Sequence, residues 1–422
     1  MQTKNLISKR VHIFIYRYQI AFIFIVNIKK SNSDDHNLIR VQRILFNLSC
    51  GSMLRFTKIT ITQFKNYDFS SFSFTERVIG ICGLNGKGKT NLLDAIYYLC
   101  FTKSYFTATD NNTVSYGERG FRIAGKFLLE NSPLQVIAVL RETGKKEISF
   151  NDELYSRISR HIGKLPAVII APDDVAIVTG GSEERRKLFD ALLCQLNPEY
   201  LQQLMQYNKL LQQRNSLLKQ MGEQRSSDET VLEIIDQQLG VAGAFVYNER
   251  CRFMGEFLAS ATAHYHTIAK SNEAVQLSYE SQLHAKTEVG SLQKFKSLLL
   301  ENKSRDLQLQ RTTAGIHRDD LKLQLNFQPF KQSASQGQRK SLLFALKLTE
   351  FEMLQEHKGF APILLLDDVF EKLDNGRMTN LLMEVCIEKK GQVFITDTHR
   401  ERLEEQLQGI GCDYEILEVF LP

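Results

Sequence analysis

Eight consecutive residues, Gly83-Leu84-Asn85-Gly86-Lys87-Gly88-Lys89-Thr90, satisfy the pattern G-x-x-x-x-G-K-[ST] at every fixed position. The residue types explain the chemistry. Glycines let backbone N–H groups turn inward around phosphate oxygens, and a following helix would add its dipole to the same anion. Lys89 can reach the β- and γ-phosphates of a nucleoside triphosphate, and the Thr90 hydroxyl can coordinate Mg²⁺. Far downstream, Ile363-Leu364-Leu365-Leu366-Asp367-Asp368 is an apolar run that ends in two carboxylates. Asp367 is placed to hold Mg²⁺, and Asp368 to polarise an attacking water or sense the γ-phosphate. A third stretch, Ala334-Ser335-Gln336-Gly337-Gln338, offers a hydroxyl and free N–H groups ahead of a helical pattern, which makes a second anion site or an ordinary helix cap.

The elements needed to position these groups can be read from periodicity. Glu76–Gly83 is a buried-strand pattern running into glycine, and Thr90–Phe101 has helical spacing with a broad apolar face. From Met53 to Phe74 apolar and polar residues alternate as in half-buried strands, and residues 121–155 continue in antiparallel fashion with turns at 131–133 and 142–144. After Val168–Pro172 the pattern changes, and from Glu184 onward the chain reads as helical. Tyr200, Leu204, Tyr207, Leu211, Arg214 and Leu218 alternate spacings of four and three, as do Leu232, Ile235, Leu239, Ala242 and Val246. An antiparallel helical hairpin a few turns long accounts for this, as does ordinary helix packing within a domain; Ser226 and Glu229 fit a capping box for the second helix. Strand and loop signals return between Leu307 and Phe327, a helix runs from Arg339 to about Gln355, and Val393–Thr396 is one more buried strand. The expected architecture is α/β. An ATPase lobe comprises residues 53–182 and 305–422, with a mixed sheet, and a mostly helical lobe of residues 183–304 bears a short antiparallel arm.

The order of the motifs narrows the class. Ser335 lies about 30 residues before the Asp367 strand, an order that resembles the signature motif of ABC-type ATPases, and Glu371-Lys372-Leu373-Asp374 looks like the D-loop of that class. Phe64-Lys65-Asn66-Tyr67, Glu184-Arg185-Arg186-Lys187-Leu188-Phe189-Asp190 and Gly315-Ile316-His317-Arg318-Asp319-Asp320-Leu321 together resemble the RecF family of bacterial recombination mediators, from about Met53 to Ile395. Two departures stand out: family members commonly carry proline where Ile316 stands, and the leader before Met53 has no counterpart. Transporter ATPases keep a switch histidine directly after the strand equivalent to Val393–Thr396; here His399 lies three residues further on, and it is given no catalytic role.

The resemblance implies an ABC-type P-loop head. Gly83 to Thr90, with Lys65 and Asn66, would bind ATP, and Thr90 and Asp367 would hold Mg²⁺. Ser335, Gly337, Gln338 and Asp374 would complete the site in trans in a head-to-tail homodimer. It further implies DNA binding at gaps and at junctions of single- and double-stranded DNA, and help in loading the recombinase with other mediator proteins. Replication restart, the SOS response and a weak, DNA-dependent ATP hydrolysis that acts as a switch belong to the same picture, without chemistry on DNA. Phosphate contacts of that kind need basic side chains, for which Lys103, Arg122, Lys126, Lys145, Lys146, Arg157, Arg160 and Lys164 are candidates.

Composition permits this reading without demanding it. The 422 residues are 43% hydrophobic and 24% charged, and 53 Lys and Arg against 48 Asp and Glu leave room only for a local basic surface. Seven scattered cysteines, none spaced C-x-x-C, give poor support to a zinc site, a redox motif or a disulfide framework; most sit in apolar runs like buried thiols, and a reducing cytoplasm is the expected compartment. Val11–Ile28 is an apolar run of about 18 residues interrupted by His12, Arg17, Gln19 and Asn27. It reads as a membrane anchor, a disordered leader, or sequence translated upstream of a true start at Met53, the last being the expectation. The remaining alternatives are an ABC transporter ATPase subunit and an SMC-type structural ATPase. About 245 residues separate Thr90 from Ser335, more than a compact transporter subunit needs, and the chain has no room for an extended coiled coil.

Overall fold

A computed structural model describes residues 53–224, 229–270, 273–284, 290–368 and 375–420. The chain divides into two units, Met1–Ser52 and Met53–Pro422, and the first, including Val11–Ile28, lies outside the described residues. So do Ser226, half of the expected capping box, and the Glu371–Asp374 loop.

Two sheets sandwich the helix Lys89–Phe101. One sheet is fully parallel, in the spatial order Tyr414–Glu418, Val78–Cys82, Val393–Asp397, Ile363–Leu366, Ala167–Ile170. The other is antiparallel and begins with the hairpin Leu54–Phe64 and Tyr67–Ser73, followed by Phe121–Leu129, Ser132–Leu140, Lys146–Phe150 and Glu153–Leu154. Because side chains alternate along a strand, each parallel strand serves two cores. Ile79, Ile81, Ile363, Leu365 and Phe394 face the helix and the antiparallel sheet, whereas Val78, Cys82, Leu364, Leu366, Val393 and Ile395 face the helical half of the molecule. This two-sided burial is why these strands read as unbroken apolar runs.

The helical half contains Ser182–Leu196, Pro198–Gln224, Glu229–Ala269, Ser291–Leu309 and Gln336–Lys358. Pro198 opens its helix, as suits a residue without an N–H at the first helical position. The preceding Asn197 side chain accepts hydrogen bonds from the N–H groups of Glu199 and Tyr200 at 2.9 and 3.3 Å. The hairpin Pro198–Gln224 and Glu229–Ala269 buries Tyr200, Tyr207 and Leu218 against Leu232, Leu239 and Val246, as the spacing anticipates, and Ser291–Leu309 packs beside it. Two elements differ from the sequence reading. Ser291–Leu309 is a helix through Leu309, where strand and loop were expected from Leu307. Val275–Glu280 is a strand inside the segment expected to be helical; it pairs antiparallel with Asp320–Leu325. Of the six described cysteines, Cys82, Cys100 and Cys386 are buried, Cys194 and Cys412 partly so, and Cys251 is exposed.

The motifs around Arg185 and Asp319 meet in one buried polar network. Arg185 makes a two-pronged pair with Asp320 at 2.6 and 2.9 Å, and Arg186 donates to the Asp319 carbonyl at 2.7 Å. Arg250, on the long helix and only 1% exposed, bridges Asp319 at 2.7 Å and Asp190 at 2.9 Å while its guanidinium lies over the Phe189 ring. The turn at Gly315 forms without the proline: Gly315 adopts φ 132°, and Arg318 N–H donates to its carbonyl at 2.9 Å. His317 is held there by Tyr207 at 2.7 Å, and burial pushes its pKa down to about 4, so the ring is neutral near pH 7. Arg250→Met leaves two carboxylates without their cation, so it is expected to lower the free energy of unfolding by about 3–5 kcal/mol, measured by denaturant titration. A loss below about 1 kcal/mol would show that the network carries no stability.

Candidate functional site

The strand Val78–Cys82 is buried throughout and delivers the loop at its carboxyl end, where open parallel sheets place their ligands. Two glycines there have no substitute. At Gly83 an added Cβ would stand 2.7 Å from the Val419 carbonyl oxygen, and Gly88, which caps the helix Lys89–Phe101, adopts φ 98°. Leu84, Asn85 and Gly86 are exposed, Lys87 is half-buried, and Lys89 is only 5% exposed. The Lys89 ammonium donates to the carbonyls of Gly83 and Leu84 at 2.7 and 3.2 Å, so the buried cation rests on neutral partners inside the loop.

The hairpin turn at Lys65 clasps the same loop. Asn66 donates to the Gly86 carbonyl at 3.3 Å and accepts from Asn91 at 2.7 Å, and the buried Tyr67 hydroxyl donates to the Gly88 carbonyl at 3.1 Å. Lys65 is directed elsewhere: its ammonium pairs with Asp94, buried on the helix, at 2.6 Å. Asn66 therefore touches the loop backbone, while Lys65 acts on it only through the helix. Tyr67 and Asn91 were not singled out from the sequence, although Tyr67 closes the quoted Phe64–Tyr67 motif.

On the buried strand Ile363–Leu366, the backbone delivers Asp367 beside Thr90. The Thr90 hydroxyl donates to the Asp367 carboxylate at 3.0 and 3.1 Å, and Thr396 donates to it at 2.9 Å. Burial raises the Asp367 pKa to about 6, with the neighbouring Asp368 charge adding to the effect and the Thr396 and Thr90 hydrogen bonds and the Lys89 charge opposing it. A carboxylate made costly by burial, next to a hydroxyl oxygen, is a hard-oxygen donor pair of the kind Mg²⁺ takes when phosphates and water complete its shell, so the residues fit that ion. Asp368 is half-buried, has φ 43°, and donates its N–H to the Thr396 hydroxyl at 2.8 Å.

Ser335 caps the helix Gln336–Lys358, which begins three residues before the expected Arg339. Its hydroxyl accepts from the Gln338 N–H at 3.3 Å, the Gln338 side chain returns to the Ser335 N–H at 2.7 Å, and Gln338 also donates to Glu273 at 3.0 Å. Ser335 is exposed, and Gly337 lies against the Arg377 guanidinium. Asp374 falls outside the described residues. His399 sits at the start of the helix Arg400–Gly409, where its N–H donates to Asp397 at 2.8 Å.

The RecF/RecN/SMC N terminal domain family profile matches residues 55–414. A protein of Flavobacterium johnsoniae named DNA replication and repair protein RecF is 38% identical over 366 residues, which span 87% of this chain and 100% of that one. The chain belongs to the RecF family. A RecF of Bacteroides fragilis strain YCH46 is 38% identical over 363 residues, 86% of this chain and 95% of its own. Among solved structures, the recombination mediator protein RecF-ATPrS of the RecFOR pathway superposes with TM-score 0.78 at 29% identity, covering 87% of this chain and 96% of that one. The Smc head domain of Pyrococcus furiosus superposes with TM-score 0.51 at 15% identity, covering 88% and 94%, a likeness of fold. The family and these neighbours establish the ABC-type head architecture.

The basic candidates of this RecF-family chain are of two kinds. Lys103, Arg122, Lys126, Arg157 and Arg160 are exposed, with Arg122 and Lys126 on the outward-facing side of the strand Phe121–Leu129. Lys145 and Lys164 are also exposed but already engaged, Lys145 with Glu147 at 3.1 Å and Lys164 4.6 Å from the Phe150 ring centre, while the half-buried Lys146 pairs with Asp110 at 2.7 Å.

Proposed function

We propose that the chain is an ATP-dependent DNA-binding protein of replication and recombinational repair, acting as a nucleotide-gated homodimer in the cytoplasm. The contact of Thr90 with Asp367, 277 residues apart in sequence, carries this reading, because it brings the phosphate loop and an acid strand into one site. Relatives named DNA replication and repair protein, and solved RecF structures described with ATP and ATPrS, support it. No helix among the described residues is long and apolar enough to cross a membrane.

In the proposed site, Gly83–Thr90 wraps the phosphates with backbone N–H groups, and Lys89 exchanges its loop carbonyls for β- and γ-phosphate oxygens. Mg²⁺ held by Thr90 and Asp367 would neutralise phosphate charge. Asp368 orients the attacking water. Ser335, Gly337, Gln338 and Asp374 of a second copy close over the γ-phosphate, so ATP joins two heads and slow hydrolysis releases them. The exposed Lys103, Arg122, Lys126, Arg157 and Arg160 then offer phosphate contacts to DNA at gaps and single-/double-strand junctions. There the dimer, with other mediator proteins, would help load the recombinase and support the SOS response.

Sedimentation with ATP, without ATP, and with gapped DNA tests the whole reading. Dimers and DNA complexes are expected to depend on ATP. Asp368→Asn should keep ATP binding, slow turnover by about a hundredfold, and prolong the DNA-bound dimer. Asparagine suits the test because it tolerates the left-handed backbone of Asp368. DNA binding that ignores ATP would remove the nucleotide gate, and normal turnover in Asp368→Asn would remove Asp368 from the chemistry.

A further inference from the structure

Thr396 occupies the strand Val393–Asp397, which lies between the phosphate-loop strand and the acid strand. It is fully buried, and both functions of its hydroxyl are spent on the two carboxylate residues: it donates to Asp367 Oδ1 at 2.9 Å and accepts the Asp368 N–H at 2.8 Å. One side chain on a neighbouring strand thus sets the rotation of one acid and the left-handed turn that aims the other. His399, the first histidine after this strand in sequence, uses its backbone N–H to engage Asp397, whose carboxylate is also clasped by Arg402.

We propose that Thr396 is the positioning residue of the nucleotide site, holding Asp367 toward Mg²⁺ and Asp368 toward the γ-phosphate. The inference rests on the nucleotide-site reading above and adds to it a residue that touches neither ATP nor the metal. Thr90 also donates to Asp367, but its oxygen is the other metal donor. With Thr90 given over to the cation, the Thr396 hydrogen bond would be left to keep the carboxylate in place. Residues that hydrogen-bond a ligating carboxylate govern its affinity for the ion, and their loss typically weakens metal binding by about 10–100-fold.

The test uses the full chain with Thr396→Val, which keeps the shape and removes the hydroxyl, and Thr396→Ser, which keeps the hydroxyl and removes a methyl group. Binding of a fluorescent ATP analogue is titrated in EDTA and then against Mg²⁺, alongside ATP turnover. Thr396→Val should bind nucleotide in EDTA as the parent does, need at least about tenfold more Mg²⁺ to reach the metal-enhanced affinity, and turn over more slowly. Thr396→Ser should stay within about threefold of the parent on each measure, since the hydroxyl that orients the ligand is retained. If Thr396→Val folds too poorly to assay, Thr396→Ala provides the same hydroxyl-free comparison. An unchanged Mg²⁺ midpoint without the hydroxyl, or equal damage from the serine variant, overturns the role of Thr396 alone. A parent chain whose nucleotide binding ignores Mg²⁺ overturns the metal assignment beneath it, and the proposal with it.

Discussion

Lys89→Ala is expected to weaken ATP binding by at least about a hundredfold while the protein remains folded. Lys89 is the cation of the phosphate loop, and its present partners are the neutral carbonyls of Gly83 and Leu84. A triphosphate offers that buried ammonium charged acceptors in their place. Hydrogen bonds between charged groups contribute about 1.5–3 kcal/mol each, so losing two of them spans a hundredfold or more in affinity. The cost to folding is small by comparison. The Leu84 carbonyl belongs to an exposed residue and Gly83 is partly exposed, so water can replace the ammonium as donor. Calorimetric titration with ATP, paired with a thermal melt, separates the two effects. Unchanged affinity would sink the assignment of the loop, and lost affinity with a collapsed melt would assign Lys89 to the fold instead.

The parts of the site that the sequence exposed were those enforced by local geometry. Gly83 and Gly88 are readable because a tight loop against the Val419 backbone admits no side chain, and a left-handed helix cap disfavours one. Asp367 is readable because a strand buried on both faces is apolar to its last residue, and the first acid after it marks the carboxyl end of the strand. The two helices of the hairpin were legible in the apolar spacing of Tyr200 to Leu218 and Leu232 to Val246, which by itself fitted ordinary helix packing equally well.

What stayed hidden depends on contacts between distant segments. Thr396 looks like one more β-branched residue in a strand, and only the register of three parallel strands brings its hydroxyl to Asp367. Tyr67 and Asn91 act through carbonyl and amide contacts that no spacing rule encodes. Arg250 sits on a helix where a cation ordinarily faces water, and its burial follows from Asp190 and Asp319 arriving on two other elements. Val275–Glu280 does alternate, but six residues between long helices make a weak signal until Asp320–Leu325 supplies the partner. Lys65 belongs to the same group: its motif points at the nucleotide, whereas its ammonium rests on Asp94.

Ser335→Arg is expected to abolish ATP-dependent dimerisation and leave nucleotide binding by the monomer intact. Within its own chain Ser335 has a modest task, the capping box with Gln338. Losing an N-cap costs about 1 kcal/mol, and a cation beside a helix N-terminus costs a further ~0.3–1 kcal/mol. Neither loss reaches Lys89 or Thr90, which contact the phosphate loop and Asp367. A second copy would meet a different surface. The exposed hydroxyl stands at a helix N-terminus, and a long arginine side chain there would fill the space that a partner's γ-phosphate needs in the proposed dimer. Ser335→Asp separates capping from binding. Aspartate caps a helix as well as serine does, so the helix survives, yet its charge opposes the partner's phosphates. Both variants should therefore remain monomeric with ATP in analytical ultracentrifugation, while Ser335→Thr, which keeps the hydroxyl, dimerises. Dimers of Ser335→Asp at the parental ATP dependence would show that the signature helix does not complete the partner's site, and that Ser335 is a helix cap and nothing more.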